Sequence, residues 1–226
     1  MSRNRRHRSE HKPTPAPSQT VIQLERAFHG STIEVAAPDK PYLFSNIAGV
    51  LSYFGMDIHR GQAMTTPSHL VLDVFEFSDE EGFLRQNSGA VDEINRVLKG
   101  VVAGGMDVRA LLRGRERSLV YRRRREVETS INLDNEHSRR HTVLEVVTDD
   151  APGLLHRLSR VISDQGCDVD LVLISTEGKK AIDVFHITKA GAKLTASEQH
   201  ALRADLQRML GGSDEIDQEY RPAEQG

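Results

Sequence analysis

The sequence predicts an α+β protein made of two copies of one unit, each an antiparallel sheet with both helices on one face. Three observations carry this. The chain contains an internal repeat. Each copy reads strand, helix, strand, strand, helix. Nearly all the periodic apolar pattern of the 226 residues falls inside the two copies.

The repeat is seen by placing IEV at 33–35 over LEV at 144–146, an offset of 111 residues. At that offset Asp39 meets Asp150, Pro41 meets Pro152, Leu43 meets Leu154 and Gly55 meets Gly166. DVF at 73–75 meets DVF at 183–185 at an offset of 110, so a loop differs by one residue. In the second copy HTVLEVVT is short and β-rich, a strand. PGLLHRLSRVISDQG follows with Leu154, Leu155, Leu158, Val161 and Ile162 on one helical face. Pro152 suits the first turn of that helix and Gly166 its stop. DVDLVLIST and AIDVFHIT are two further strands around the turn EGKK. A last helix starts at TASE, where Thr195 and Glu198 have capping-box spacing, and shows Leu202, Leu206, Met209 and Leu210 to the core.

The first copy repeats the order, with a strand at 31–37, a helix at 41–54, strands at 57–65 and 69–77, and a helix near 88–102. GMDVRALLR at 105–113 reads as its fourth strand. Together these make the split β-α-β-β-α-β, or ferredoxin-like, arrangement. The second copy has no strand after Gly212. EVETSINL ahead of it is expected to supply the missing strand, and SQTVIQLE stands in the same place before the first copy. The expected divisions are a disordered basic tail over 1–18, a first domain over 19–113, a basic linker over 114–128, a second domain over 129–212 and an acidic tail over 213–226.

Composition sets outer bounds. The chain is 38% hydrophobic and 28% charged, with a net charge of −3, so it has no general attraction to nucleic acid. Its Arg-rich start and Arg122–Arg125 are expected to be solvated, with docking onto an acidic partner as the alternative for the second. No apolar run approaches the ~18 residues of a membrane span. The charged start lacks the apolar core of a secretory signal, and a cytoplasmic location is expected. Cys167, the one cysteine, can form neither an internal disulfide nor a cysteine-type zinc site and is expected to be buried. The ten histidines are scattered, without HExxH spacing, and no metal or cofactor is expected. Neither a nucleophile-elbow GxSxG nor a P-loop occurs. Asp73 and Asp183, in the two DVF strands, are expected to face solvent, with a basic group or ligand as their alternative partner.

The two strand-to-helix junctions are the candidate sites. A helix N-terminus leaves N–H groups unpaired and carries the positive end of the dipole, a place for a carboxylate. At TDDAPGLLHRL, 148–158, Gly153 permits close approach to the backbone. Asp149 or Asp150 could cap the helix or attract an amino group. Plain punctuation of strand and helix is the competing reading. In the first copy, APDKPYLFSNI at 37–47 has Tyr42 where the second has Gly153, and Asn46 could offer an amide or be a surface helix residue.

The segments DDAPGLLHRLSRVISDQGCDVD and AIDVFHIT, set in this order of elements, resemble the ACT domain, a small amino-acid-sensing module. The run from TSINLDNEHSRRHTVLEVV through AIDVFHIT is similar to the C-terminal ACT pair of the PII-protein uridylyltransferase/uridylyl-removing enzymes, well over 129–210 and more weakly over 31–112. The resemblance implies a non-catalytic regulatory protein that binds an amino acid, glutamine being favoured, in nitrogen or amino-acid metabolism. It implies binding by Asp150, Pro152, Gly153, Leu154, Leu155 and Asp168, and in the first copy by Asp39, Tyr42, Leu43 and Asn46. The second copy is expected to be the better site, because the Tyr42 ring crowds the first. The ligand is expected at an inter-domain or inter-chain seam, with edge strands pairing into a sheet of eight or more strands. A homodimer or a regulated enzyme is the expected partner. The nucleotidyltransferase carboxylate motif and the phosphohydrolase His-Asp dyad are not found, so the alternative is a remnant or subunit of such an enzyme whose catalytic domains are missing.

Overall fold

The computed structural model describes residues 20–27, 30–66, 70–118 and 126–211. The expected tails and Arg122–Arg125 lie outside the described residues. The first half runs β1 (Val21–Ala27), β2 (Gly30–Pro38), α1 (Leu43–Tyr53), β3 (Asp57–Thr65), β4 (Leu70–Ser78), α2 (Phe83–Gln86), α3 (Ala90–Val102) and α4 (Val108–Ser118). The second runs β5 (Ser130–Asp134), β6 (Thr142–Asp149), α5 (Leu154–Asp164), β7 (Asp168–Glu177), β8 (Lys180–Thr188) and α6 (Ala196–Gly211).

All the strands join one eight-stranded antiparallel sheet in the order β1-β2-β4-β3-β7-β8-β6-β5. Alternation along each strand sends one side chain in two into the core. Ile33, Val35 and Ala37 of β2, Phe75 and Phe77 of β4, Leu144 and Val146 of β6, and Phe185 and Ile187 of β8 are buried beneath the helices. Helix α1 contributes Ile47, Val50 and Leu51, and α5 contributes Leu158 and Ile162.

The fourth strand of each unit comes from the front. β1 and β5 pair antiparallel with β2 and β6, at the sheet position a trailing strand would take. The order within each half is therefore strand, strand, helix, strand, strand, helix. The strand expected at 105–113 is not formed: Val108–Ser118 is α4. Its buried residues Val108 and Leu112 are four apart, one helical face, and the Arg109 N–H donates to the Asp107 carboxylate at 3.0 Å. The sheet edge it would have occupied already holds β1. Helix α2 was not expected; the Phe83 and Leu84 N–H groups are held by Asp79 at 2.7 and 2.9 Å. The capping box of α6 is present: the Thr195 N–H donates to Glu198 at 2.8 Å and the Glu198 N–H to the Thr195 hydroxyl at 3.4 Å.

The halves meet at β3 and β7, through Arg60–Leu173, Gly61–Val172 and Gln62–Leu171. Gly61 and Val172 are themselves equivalent at the repeat offset, so a local twofold axis passes through that pair. A side chain at Gly61 would meet the Phe44 ring at 2.6 Å and Val172 at 3.0 Å. On the helix face α1 packs against α5 and α4. The buried His156 ring donates from Nδ1 to the Ser45 carbonyl at 2.7 Å, again joining equivalent positions. Burial lowers the His156 pKa, and because a carbonyl can only accept, Nδ1 carries the hydrogen.

Candidate functional site at the seam

The two junctions share a backbone form. Gly153 ahead of α5 has φ 74°, and Tyr42 ahead of α1 has φ 66°, both left-handed. Glycine adopts this at no steric cost, whereas a tyrosine there is strained. Neither helix has a side-chain cap. Asp149 instead accepts the Glu126 N–H, and the Asp150 N–H donates to the Lys179 carbonyl at 2.8 Å. Pro152 lies in the turn before α5 rather than inside its first turn, since the helix begins at Leu154. A side chain at Gly153 would make only ordinary contact on one side. Leu112 of α4 stands 3.4 Å from where a Cβ would be, so the left-handed φ is the stronger reason for glycine here.

A cavity of about 480 Å³ opens beside this junction. Asp150, Ala151, Pro152, Gly153, Leu154 and Leu155 form one wall. Ile174 and Thr176 of β7 and Ala181 and Asp183 of β8 form another. The third belongs to the first half: Ser52, Gly55, Met56, Asp57 and Ile58, with Glu80 and Glu81. The cavity is thus composite, built across the seam. Asp57 is the first-half equivalent of Asp168 and takes the place expected for it. Asp168 lies at the opposite junction, where Asp39 raises its pKa after partial burial.

The DVF aspartates correct a sequence expectation. Asp73 is 0% and Asp183 2% exposed, so both face the core, not solvent. Neither has a basic partner: both oxygens of Asp73 and Oδ1 of Asp183 are unbonded among the described residues. Burial, then Asp39, pushes Asp73 up to about 8. Burial, then Asp150, pushes Asp183 up to about 7. The signal was in the sequence: Val71, Asp73, Phe75 and Phe77 alternate on one face.

The first junction is arranged differently. The Tyr42 ring lies 4.5 Å from the Arg160 guanidinium of α5. Its hydroxyl bonds to Asp164, which raises the Tyr42 pKa. Leu43 is buried, and Asn46 sits half-buried in the first turn of α1. Asp39, Tyr42, Leu43, Asn46 and Asp168 therefore belong to one end of the seam, and Asp150, Pro152, Gly153, Leu154 and Leu155 to the other. Among the described residues, no three of His, Cys, Asp and Glu are placed to hold a metal ion. No described helix is long and apolar enough to cross a membrane. Cys167 is buried, as expected.

Residues 130–213 match the family described as "ACR9-like, ACT-like domain". The second repeat is an ACT-like domain. Such domains are regulatory and non-catalytic. The first half carries the same order of elements in the same sheet. The chain is 30% identical over 184 residues to the bifunctional uridylyltransferase/uridylyl-removing enzyme of Gluconobacter oxydans (strain 621H), covering 80% of this chain and 18% of that protein. It is 29% identical over 195 residues to the enzyme of the same name from Vibrio campbellii (strain ATCC BAA-1116), covering 85% of this chain and 22% of that one. The chain therefore spans about a fifth of the length of these relatives.

Proposed function

We propose that this chain is an amino-acid-binding regulatory module of two ACT-like units, with the ligand held in the cavity at the seam. The observation that carries the reading is the composite cavity. A free α-amino acid needs an anion site and a cation site close together. The first turn of α5 offers N–H groups and the positive end of its dipole to the carboxylate. Asp150, Asp57 and Asp183 offer negative charge to the ammonium. A ligand gripping both halves would alter how they sit together, a direct route to regulating a partner. Glutamine is the ligand favoured by the resemblance to the uridylyltransferase family. Isothermal titration of the chain against the twenty amino acids, with thermal shift alongside, tests the reading. Heat and a raised Tm with at least one are expected; neither with any of them removes the proposal.

The second reading is a regulatory part of a uridylyltransferase, favoured by the similarity to two enzymes of that name over most of this chain. On this reading the chain alone transfers no labelled uridylyl group from UTP to a PII protein. Transfer would show a catalytic capacity that ACT-like units do not supply.

A further inference from the structure

We propose that the open face of the sheet is the interface of a homodimer, in which two copies of this chain lie sheet against sheet about a twofold axis that runs along the strands between β7 and β8.

The core occupies one face of the sheet. The opposite face carries six apolar side chains on three adjacent strands: Val143 and Val147 of β6, Leu171 and Leu173 of β7, and Ile182 and Val184 of β8. None of the six packs against the core. Leu173 is 44% exposed, and the other five are half-buried. A sheet with one solvated face normally turns polar side chains outward. A contiguous apolar patch on that face marks an interaction surface.

The charges beside the patch say what covers it. Arg60 of β3, Leu173, Val184 and Glu145 of β6 stand side by side across four strands, through the pairs Arg60–Leu173, Leu173–Val184 and Val184–Glu145. The row is positive at one end, negative at the other and apolar between. A half-turn about an axis along the strands, between β7 and β8, lays a second copy's row on this one in reverse. Arg60 then faces the partner's Glu145, and Leu173 faces the partner's Val184. Each contact occurs twice, as a twofold interface requires. Glu76 holds Arg60 from the neighbouring strand at 3.8 Å and keeps its guanidinium on this face.

Size also favours a second sheet. Stacked sheets lie ~10 Å apart with strands within ~30° of one another, and opposed Arg and Glu side chains span that gap. About this axis six strands overlap, from β4 to β5. At ~4.8 Å per strand and ~25 Å of length they cover roughly 700 Å², close to the ~800 Å² per partner of a standard interface. A helix, ~10 Å across, is narrower than the row, whose charged ends lie three strand spacings or ~14 Å apart.

Sedimentation equilibrium on the full chain at low salt, over about 5–200 µM, tests this. The mass should rise with concentration toward twice the 25.2 kDa of one chain. Leu173→Lys sets an ammonium against the partner's Val184 and should weaken the dimer by about tenfold or more. Leu173 is exposed, so Tm should hold. Arg60→Glu and Glu145→Arg should each weaken the dimer by about three- to tenfold, because each opposes like charges, and the double exchange should recover most of that loss. A chain that stays monomeric throughout the range overturns the inference and leaves the open face to a different protein. A dimer indifferent to Leu173→Lys forms elsewhere and overturns it too. Charge exchange without recovery overturns the reversed row. Amino-acid binding at the cavity is read separately, so none of these results bears on it.

Discussion

Asp73→Asn should change how stability depends on pH. Asp73 lies on the core face of β4, fully buried, with neither oxygen bonded among the described residues. The charged groups around it add no relief. Asp39 repels it, and the Lys40 ammonium is engaged by the Val102 carbonyl at 3.3 Å. In the unfolded chain the carboxyl ionises at its ordinary 3.8; in the fold it holds its proton up to about 8. The folded state therefore binds more protons than the unfolded state between these values, and stability falls as pH rises through that window. Fully ionising such a group costs the fold roughly 6 kcal/mol, about four pH units at about 1.4 kcal/mol each. Local relaxation and water entry lower this, so we expect about 2–4 kcal/mol between pH 5 and pH 8. Asparagine has the same shape and cannot ionise. Its own buried amide adds a penalty that does not vary with pH, and Asp183 titrates in both proteins, so both cancel in the difference. Urea unfolding at pH 5, 6.5 and 8, at fixed ionic strength, reads the result. The variant should gain on the parent by that amount across the range. Parallel profiles, within about 0.5 kcal/mol, would show that Asp73 is hydrated or paired and the burial argument wrong.

Gly61→Val should strain the seam, since the new Cβ meets the Phe44 ring at 2.6 Å and Val172 at 3.0 Å. Overpacking of this kind costs about 1–3 kcal/mol; thermal unfolding checks it, and an unchanged Tm would mean the halves separate freely. Tyr42→Gly should cost no more than about 1 kcal/mol in urea, because relief of a left-handed tyrosine, about 1–2 kcal/mol, offsets most of a lost Arg160 contact of about 0.5–1 kcal/mol, the lost hydrogen bond to Asp164 and the greater freedom of unfolded glycine. A loss above about 2 kcal/mol would make the Tyr42 ring a structural anchor.

The repeat, the helix faces and the donation of a front strand to each half could all be read from the chain, because apolar periodicity and short-range capping carry them. Helix α4 could not. GMDVRALLR is short, and its apolar residues fit either period until one knows that the sheet edge is already taken by β1. Asp73 and Asp183 were misplaced because residue type argued for solvent while strand alternation argued for the core; alternation won, as the burial of Phe75 and Phe185 two residues on requires. The partner of the second junction was also hidden. Asp57 reaches the cavity only through the pairing of β3 with β7, a long-range fact that no local pattern encodes.

That pairing has one more consequence. It joins two similar halves about a local twofold through three residue pairs, and nothing in those contacts requires both halves to come from one chain. The first half of one molecule can pair with the second half of another and form an identical seam. An exchange of halves between two molecules would therefore rebuild the same seam, and each composite cavity would then draw its walls from two chains.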